Sequence, residues 1–204
     1  MSREPRALRT PLTLAVLTLL AERPRHPYEM KVALRERHIE EVVKLRGGSL
    51  YDAIARLERA ELVRQVGTAR AGARPERTVY EITEAGRVLL RELLEEMLTE
   101  PVNEYPRFVA ALAHLPALDR ESAARMLRLR AERLREDQAD TARMLAEHAD
   151  GLPRAVLLEA EFQQHQRAAE IDWLDGVAHD IDHGLSWPDN DFPAGSNQEN
   201  NHDQ

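Results

Sequence analysis

The chain has 204 residues, 43% of them hydrophobic and 31% charged, a length for one large domain or two small ones and a composition that excludes intrinsic disorder over most of it. Cysteine is absent, which excludes disulfides, a thiol nucleophile, Cys-ligated zinc and iron–sulfur clusters and is compatible with a reducing cytoplasm, the expected location. The net charge of −8 divides unevenly: residues 1–91 hold 18 Lys and Arg against 12 Asp and Glu, leaving 10 bases and 24 acids for the rest, so the first half is suited to a polyanion.

An apolar run from Leu12 to Ala21 is too short to cross a bilayer and passes into Glu22, Arg23 and Pro24 without a cleavage site, so it predicts a buried first helix. Thr10 is its expected cap, with Pro11 at the first position. A short amphipathic helix follows over Tyr28 to Arg37, with Tyr28, Val32 and Leu34 inward. After the Gly47-Gly48 turn, Ser49 to Ala60 carries Leu50, Ile54 and Leu57 on one stripe, and Ser49 is expected to cap a third helix. Leu62 to Val66 and Thr78 to Ile82 read as strands flanking an Arg- and Gly-rich tip, and a helix from Glu84 turns Leu89 or Leu90, Leu93 and Met97 inward.

The second half is helical in pattern. A helix from Pro106 to Leu115 is expected to bury Phe108, Val109 and Leu112, and Asp119 to cap the next helix. There Leu127, Ala131, Leu134, Gln138, Thr141 and Leu145 form a weak coiled-coil-like seam. The last helix, Arg154 to His183, has a broad apolar surface through Leu158, Phe162, Ala169, Trp173, Val177 and Ile181. This breadth exceeds what one neighbour covers and predicts a homodimer interface through Leu158, Phe162, Ala169, Trp173 and Val177. From residue 186 onward the composition reads as a disordered tail.

Three helices, the third after a glycine turn, and an Arg-bearing hairpin make a winged helix-turn-helix. The expected fold is mainly α, with this DNA-binding domain and its two-stranded wing over residues 1–99, a helical dimerisation and effector domain over 100–185, and the tail over 186–204. On the third helix, Ser49, Tyr51, Asp52, Ala53 and Arg56 are left outward; Ser49 and Tyr51 can hydrogen-bond phosphate or base edges and Arg56 can neutralise phosphate. Lys44, Arg46 and Gly48 precede the helix, where its amino end attracts anions, and Arg70, Arg74 and Arg77 supply the wing.

The chain resembles the PadR-like transcriptional regulators through His26-Pro27-Tyr28-Glu29-Met30, Gly48-Ser49-Leu50-Tyr51, Arg56-Leu57-Glu58, Arg74-Pro75-Glu76-Arg77-Thr78-Val79-Tyr80 and Ile82-Thr83-Glu84-Ala85-Gly86. The resemblance implies a homodimeric regulator, usually a repressor, that binds a palindromic operator on double-stranded DNA and releases it on meeting a small, often aromatic, effector. It places Ser49 and Tyr51 at the DNA-facing start of the recognition helix and makes Tyr80 and Gly86 supports of the wing. Tyr105, Phe108, Phe162 and Trp173 are candidates for an aromatic effector pocket, and the acidic Asp172 and Asp175 for selecting a cationic one. No enzymatic activity, cofactor or membrane partner is expected. The pair His179 and His183 has zinc-protease spacing, but Asp stands for Glu and no third ligand is evident, so no metal is assigned. A winged helix that binds a partner protein instead of DNA is the alternative.

Overall fold

The computed structural model describes residues 6–39, 43, 47–69, 77–148 and 151–188. They form two compact units, Met1–Asn103 and Glu104–Gln204. In the first, α1 (Pro11–Glu22) is capped by the Thr10 hydroxyl, which accepts from the Thr13 amide at 3.1 Å. Val16, Leu17, Leu19 and Leu20 are buried around most of its circumference, as befits a central helix.

The second helix, α2 (Pro27–Glu36), starts from a reciprocal cap: the His26 ring accepts from the Tyr28 amide at 3.0 Å while the Glu29 carboxylate accepts from the His26 amide at 2.8 Å. It buries Pro27, Met30, Ala33 and Leu34. Tyr28, expected inward, is 59% exposed. The stripe runs through 30, 33 and 34, one step out of phase with the aromatic.

Helix α3 (Ser49–Arg59) buries Leu50, Ala53, Ile54 and Leu57. Two expectations fail here. Gly48 occupies the cap position with no side-chain cap, so Ser49 is the first helical residue. Ala53, expected outward, is 1% exposed because the stripe takes both the third and the fourth residue after Leu50. The helix closes with Glu61 at φ +58, the Glu61 amide donating to the Glu58 carbonyl and the Leu62 amide to that of Leu57, both at 2.9 Å. That is the Schellman arrangement, with a glutamate where glycine is usual.

Strands β1 (Val63–Ala69) and β2 (Arg77–Ile82) pair antiparallel, Val63 opposite Ile82 and Ala69 opposite Arg77, with a bulge between Gln65 and Gly67. The backbone of Arg25 adds a bridge to Tyr80, exchanging two hydrogen bonds of 3.0 Å. Helix α4 (Glu84–Thr99) lays Leu89 and Leu93 on the core. Met97, expected inward, is exposed, since the helix has by then passed the end of the core. Arg9 ties the amino end of the unit to α4 through Glu96 (2.6 Å) and Glu92 (3.4 Å).

The second unit holds α5 (Arg107–Leu112), α6 (Arg120–His148) and α7 (Arg154–Asp182). The Asp119 carboxylate accepts from the Ser122 amide at 2.7 Å and caps α6. Helices α6 and α7 run antiparallel, Arg128 meeting Asp182, Arg135 meeting Asp175 and Arg130 meeting Glu170. Between them Ala123, Ala124, Leu127 and Ala131 pack on Leu174, Ala178 and Ile181. Further along, the seam is polar as expected: the Gln138 carbonyl accepts from Gln164 and the Thr141 hydroxyl from Arg167.

Val109 of α5, expected to be buried, is exposed; Phe108 and Leu112 alone of that set pack on the core. On α7 the buried residues are Ala160, Ile171, Leu174, Ala178 and Ile181. Leu158, Phe162, Ala169 and Trp173 are exposed and Val177 is half-buried. Trp187 packs on the same core and donates its indole N–H to the Leu118 carbonyl at 3.0 Å, so the packed unit extends past residue 186. No described helix is long and apolar enough to cross a membrane.

Candidate nucleic-acid interface

The buried stripe of α3 leaves Tyr51, Asp52, Ala55 and Arg59 on its outer face, with Tyr51 54% exposed. Ser49 is half-buried at the first turn, beside the exposed Gly47 and Gly48. Asp52 lies in the first turn, where its charge is favourable to the helix dipole while adding a negative group to the outer face. Arg56 is half-buried, and its Nε is shielded from solvent without a hydrogen-bond partner among the described residues. Lys44, Arg46, Arg70 and Arg74 lie outside the described residues, whereas Arg77 opens β2 opposite Ala69.

The hairpin is fixed to α3 at its base. The Gln65 amide donates to the Glu58 carboxylate at 2.6 Å, connecting β1 to α3. Tyr80, half-buried on β2, has its phenol pushed up from the usual range by burial first and by the charge of Glu58 second, with a hydrogen bond from Gln65 opposing. The Thr83 hydroxyl donates to the Glu61 carbonyl at 2.8 Å and accepts from the Gly86 amide at 3.1 Å. A Cβ at Gly86 would stand 2.7 Å from the Ile82 side chain, so α4 rests directly on the strand ends. The roles the resemblance implied for Tyr80 and Gly86 are therefore those of wing supports. Arg64 and Glu81, directly opposite on the two strands, form an ion pair at 2.5 Å.

Beside the hairpin bridge, Glu22 receives Arg37 at 2.5 and 2.9 Å and Arg25 at 2.6 Å. The Arg37 hydrogen bond is the main cause, and the Arg25 hydrogen bond a further one, of a Glu22 carboxyl lowered to about 2. This clamp joins the end of α1 to the end of α2, and Arg25 continues into the bridge with Tyr80.

Sequence reasoning missed Tyr28, Lys31 and Arg35, which share the outer face of α2 at exposed positions three and four residues apart. The signal was present: phasing the helix on Met30, Ala33 and Leu34 turns all three outward. Arg59, exposed in the last turn of α3, was missed in the same way.

Of the aromatic candidates in the second unit, Phe108 and Trp173 meet edge to face, with ring centroids 6.3 Å apart. The Arg130 guanidinium stacks 3.8 Å over Phe108 and is held by Glu170 at 2.5 Å. Tyr105 and Phe162 are exposed.

Three helices, a third helix with an aromatic and polar outer face, and a hairpin locked to it define a winged helix-turn-helix of the DNA-binding class. Residues 16–92 match the transcriptional regulator PadR-like family. No curated protein sequence matches the chain. Among solved structures, Bacillus subtilis PadR in complex with operator DNA is similar at 16% identity and a TM-score of 0.68, over 86% of this chain and 99% of that one. The same protein with p-coumaric acid gives 15% identity and 0.68, over 87% and 99%. The Vibrio cholerae virulence activator AphA gives 21% identity and 0.65, over 85% and 99%. These likenesses establish a shared fold.

Proposed function

We propose that this chain is a homodimeric transcriptional repressor that binds a palindromic operator on double-stranded DNA. The observation that carries the reading is the outer face of α3, with Tyr51 exposed while the opposite face is wholly buried and the wing is fastened to the same helix. In this reading α3 enters the major groove, where Tyr51 and Ser49 meet base edges or phosphate, and Arg70, Arg74 and Arg77 follow the flanking backbone. Tyr28, Lys31 and Arg35 lie where the preceding helix crosses the backbone.

Dimerisation uses the outer face of α7, where Leu158, Phe162, Ala169, Trp173 and Val177 offer apolar surface that a second copy covers. For a small aromatic effector, the reading rests on the Phe108–Trp173 pair, with the Arg130 guanidinium stacked on Phe108 and already paired with Glu170. Such an effector lowers operator affinity only by its differential affinity for the two dimer shapes, and operator DNA then weakens effector binding by the same factor.

The deciding experiment enriches genomic fragments on the purified protein and titrates the best one at several salt concentrations. A steep, log-linear loss of affinity with rising salt is expected from several neutralised phosphates. Absence of any enriched fragment, or binding indifferent to salt, favours a winged helix that engages a protein partner instead.

A further inference from the structure

The proposed interface carries one group that a polyanion disfavours. Asp52 is exposed in the first turn of α3, on the same face as Tyr51, Ala55 and Arg59. Its carboxylate leans toward the start of the helix, where a Cβ on Gly48 would stand 3.9 Å from Asp52 Oδ2. Among the described residues of the first unit the ion pairs pass it by: Arg9 goes to Glu92 and Glu96, Arg25 and Arg37 to Glu22, and Arg64 to Glu81. Two arginines within helical reach do not neutralise it either. Arg56, one turn on, has its Nε shielded from solvent, and Arg59 donates its Nε to the Ala55 carbonyl at 3.1 Å.

A carboxylate facing a duplex is repelled by phosphate and by every acceptor in the major groove. Its favourable targets there are the exocyclic amino groups, N6 of adenine and N4 of cytosine. The two differ in their neighbours. The adenine amino group lies between its own N7 and the thymine O4, both acceptors, whereas that of cytosine has the guanine O6 on one side and only carbon on the other. A carboxylate therefore meets two repelling atoms beside adenine and one beside cytosine. The amino-terminal residues of a recognition helix are those that reach base edges, and Asp52 lies among them.

We propose that Asp52 is a specificity-determining residue that accepts a hydrogen bond from the N4 amino group of a cytosine at one position of each operator half-site. The inference rests on the proposed DNA reading of α3 and names the base that this face requires. Asp52 acts largely by exclusion: it lowers affinity for DNA at large, and a duplex without that cytosine meets an uncompensated negative charge.

The test selects randomised duplex DNA on the full-length protein and on its Asp52→Ala and Asp52→Asn variants, then titrates each with the parent's best duplex and with the same duplex carrying T·A for C·G at the assigned position. The parent should prefer cytosine there by about tenfold or more. Asp52→Ala should lose that preference while binding random duplex more tightly. Asp52→Asn should move the preference to adenine, whose N6 and N7 an amide meets in bidentate fashion. A newly gained preference is a readout that a folding defect does not produce. Selection by the parent of duplexes with no required cytosine, or variants that keep the parent's preference, would overturn the assignment and leave Asp52 a partner of the helix dipole, with the DNA reading intact. A parent that selects no duplex at all overturns both.

Discussion

The carbonyl oxygen of Leu62 occupies the space that a side chain at Gly86 would need: a Cβ there would lie 2.1 Å from it. The start of α4 therefore touches the start of the hairpin backbone to backbone, and only glycine permits it. Gly86→Ala must push the two apart. A loss of about 1–3 kcal/mol or more in the first unit is expected from overpacking, read by chemical denaturation, with operator affinity falling in parallel. Unchanged stability would mean that the helix can slide without cost.

Glu61 has the opposite problem. It holds φ +58 at the end of α3, a conformation in which a side chain is strained. Glu61→Gly should raise stability by about 1 kcal/mol, measured as a higher denaturation midpoint at unchanged slope.

Arg74→Ala and Arg77→Ala should each weaken binding to specific and random DNA alike, and lower the slope of log affinity against log salt by about 1. Tyr51→Phe should change the ranking of operator variants instead. Binding to a panel of single-base operator mutants separates the two behaviours. A shift in preferred sequence caused by either arginine substitution contradicts the wing placement.

The Glu22 clamp gives the first unit an acid-sensitive component. Its folded carboxyl, at about 2, lies below the ordinary value of 4.5, so its contribution is complete above the ordinary value and is lost as pH falls from there through about 2. Partial exposure and screening hold it to about 1 kcal/mol. Denaturation midpoints followed from pH 6 to pH 2 should fall less steeply in Glu22→Gln than in the parent.

Phe162 is 63% exposed on α7. If a second copy covers it, Phe162→Asp should shift the protein toward monomer in sedimentation at micromolar concentration, and loss of residues 154–204 should abolish the dimer. A full-length protein that is monomeric at that concentration would refute the α7 interface.

Helix α1 was legible as an apolar run opened by Pro11 and closed before Pro24, and α3 by its stripe through Leu50, Ile54 and Leu57 after Gly47-Gly48; the two strands were legible in place, though β1 runs on to Ala69 through residues that read as the tip. The phase of α2 was not. A large aromatic at Tyr28 drew the stripe toward itself, whereas packing selected Met30, Ala33 and Leu34. On α7 the aromatic Phe162 and Trp173 are exposed, while the helix meets α6 through Leu174, Ala178 and Ile181. Size on a sequence does not distinguish a residue facing an intrachain neighbour from one left outside it. The cap of α3 escaped for a related reason: Gly48 has no side chain to signal the position, and the hydroxyl of Ser49 next to it is of the type that usually fills one.

The residues that fasten the wing, Glu58, Gln65, Tyr80, Thr83 and Gly86 with Leu62, share no position with Tyr51, Asp52, Ala55 and Arg59 on the outer face of α3. If the outer face of α3 reads DNA, as proposed, mounting and reading surface are chemically separable. A regulator built this way would acquire a new target sequence by exchange at the solvent-facing positions and Ser49 while its scaffold stays untouched, and grafting those positions from another protein of the same fold would be the most economical way to redirect it.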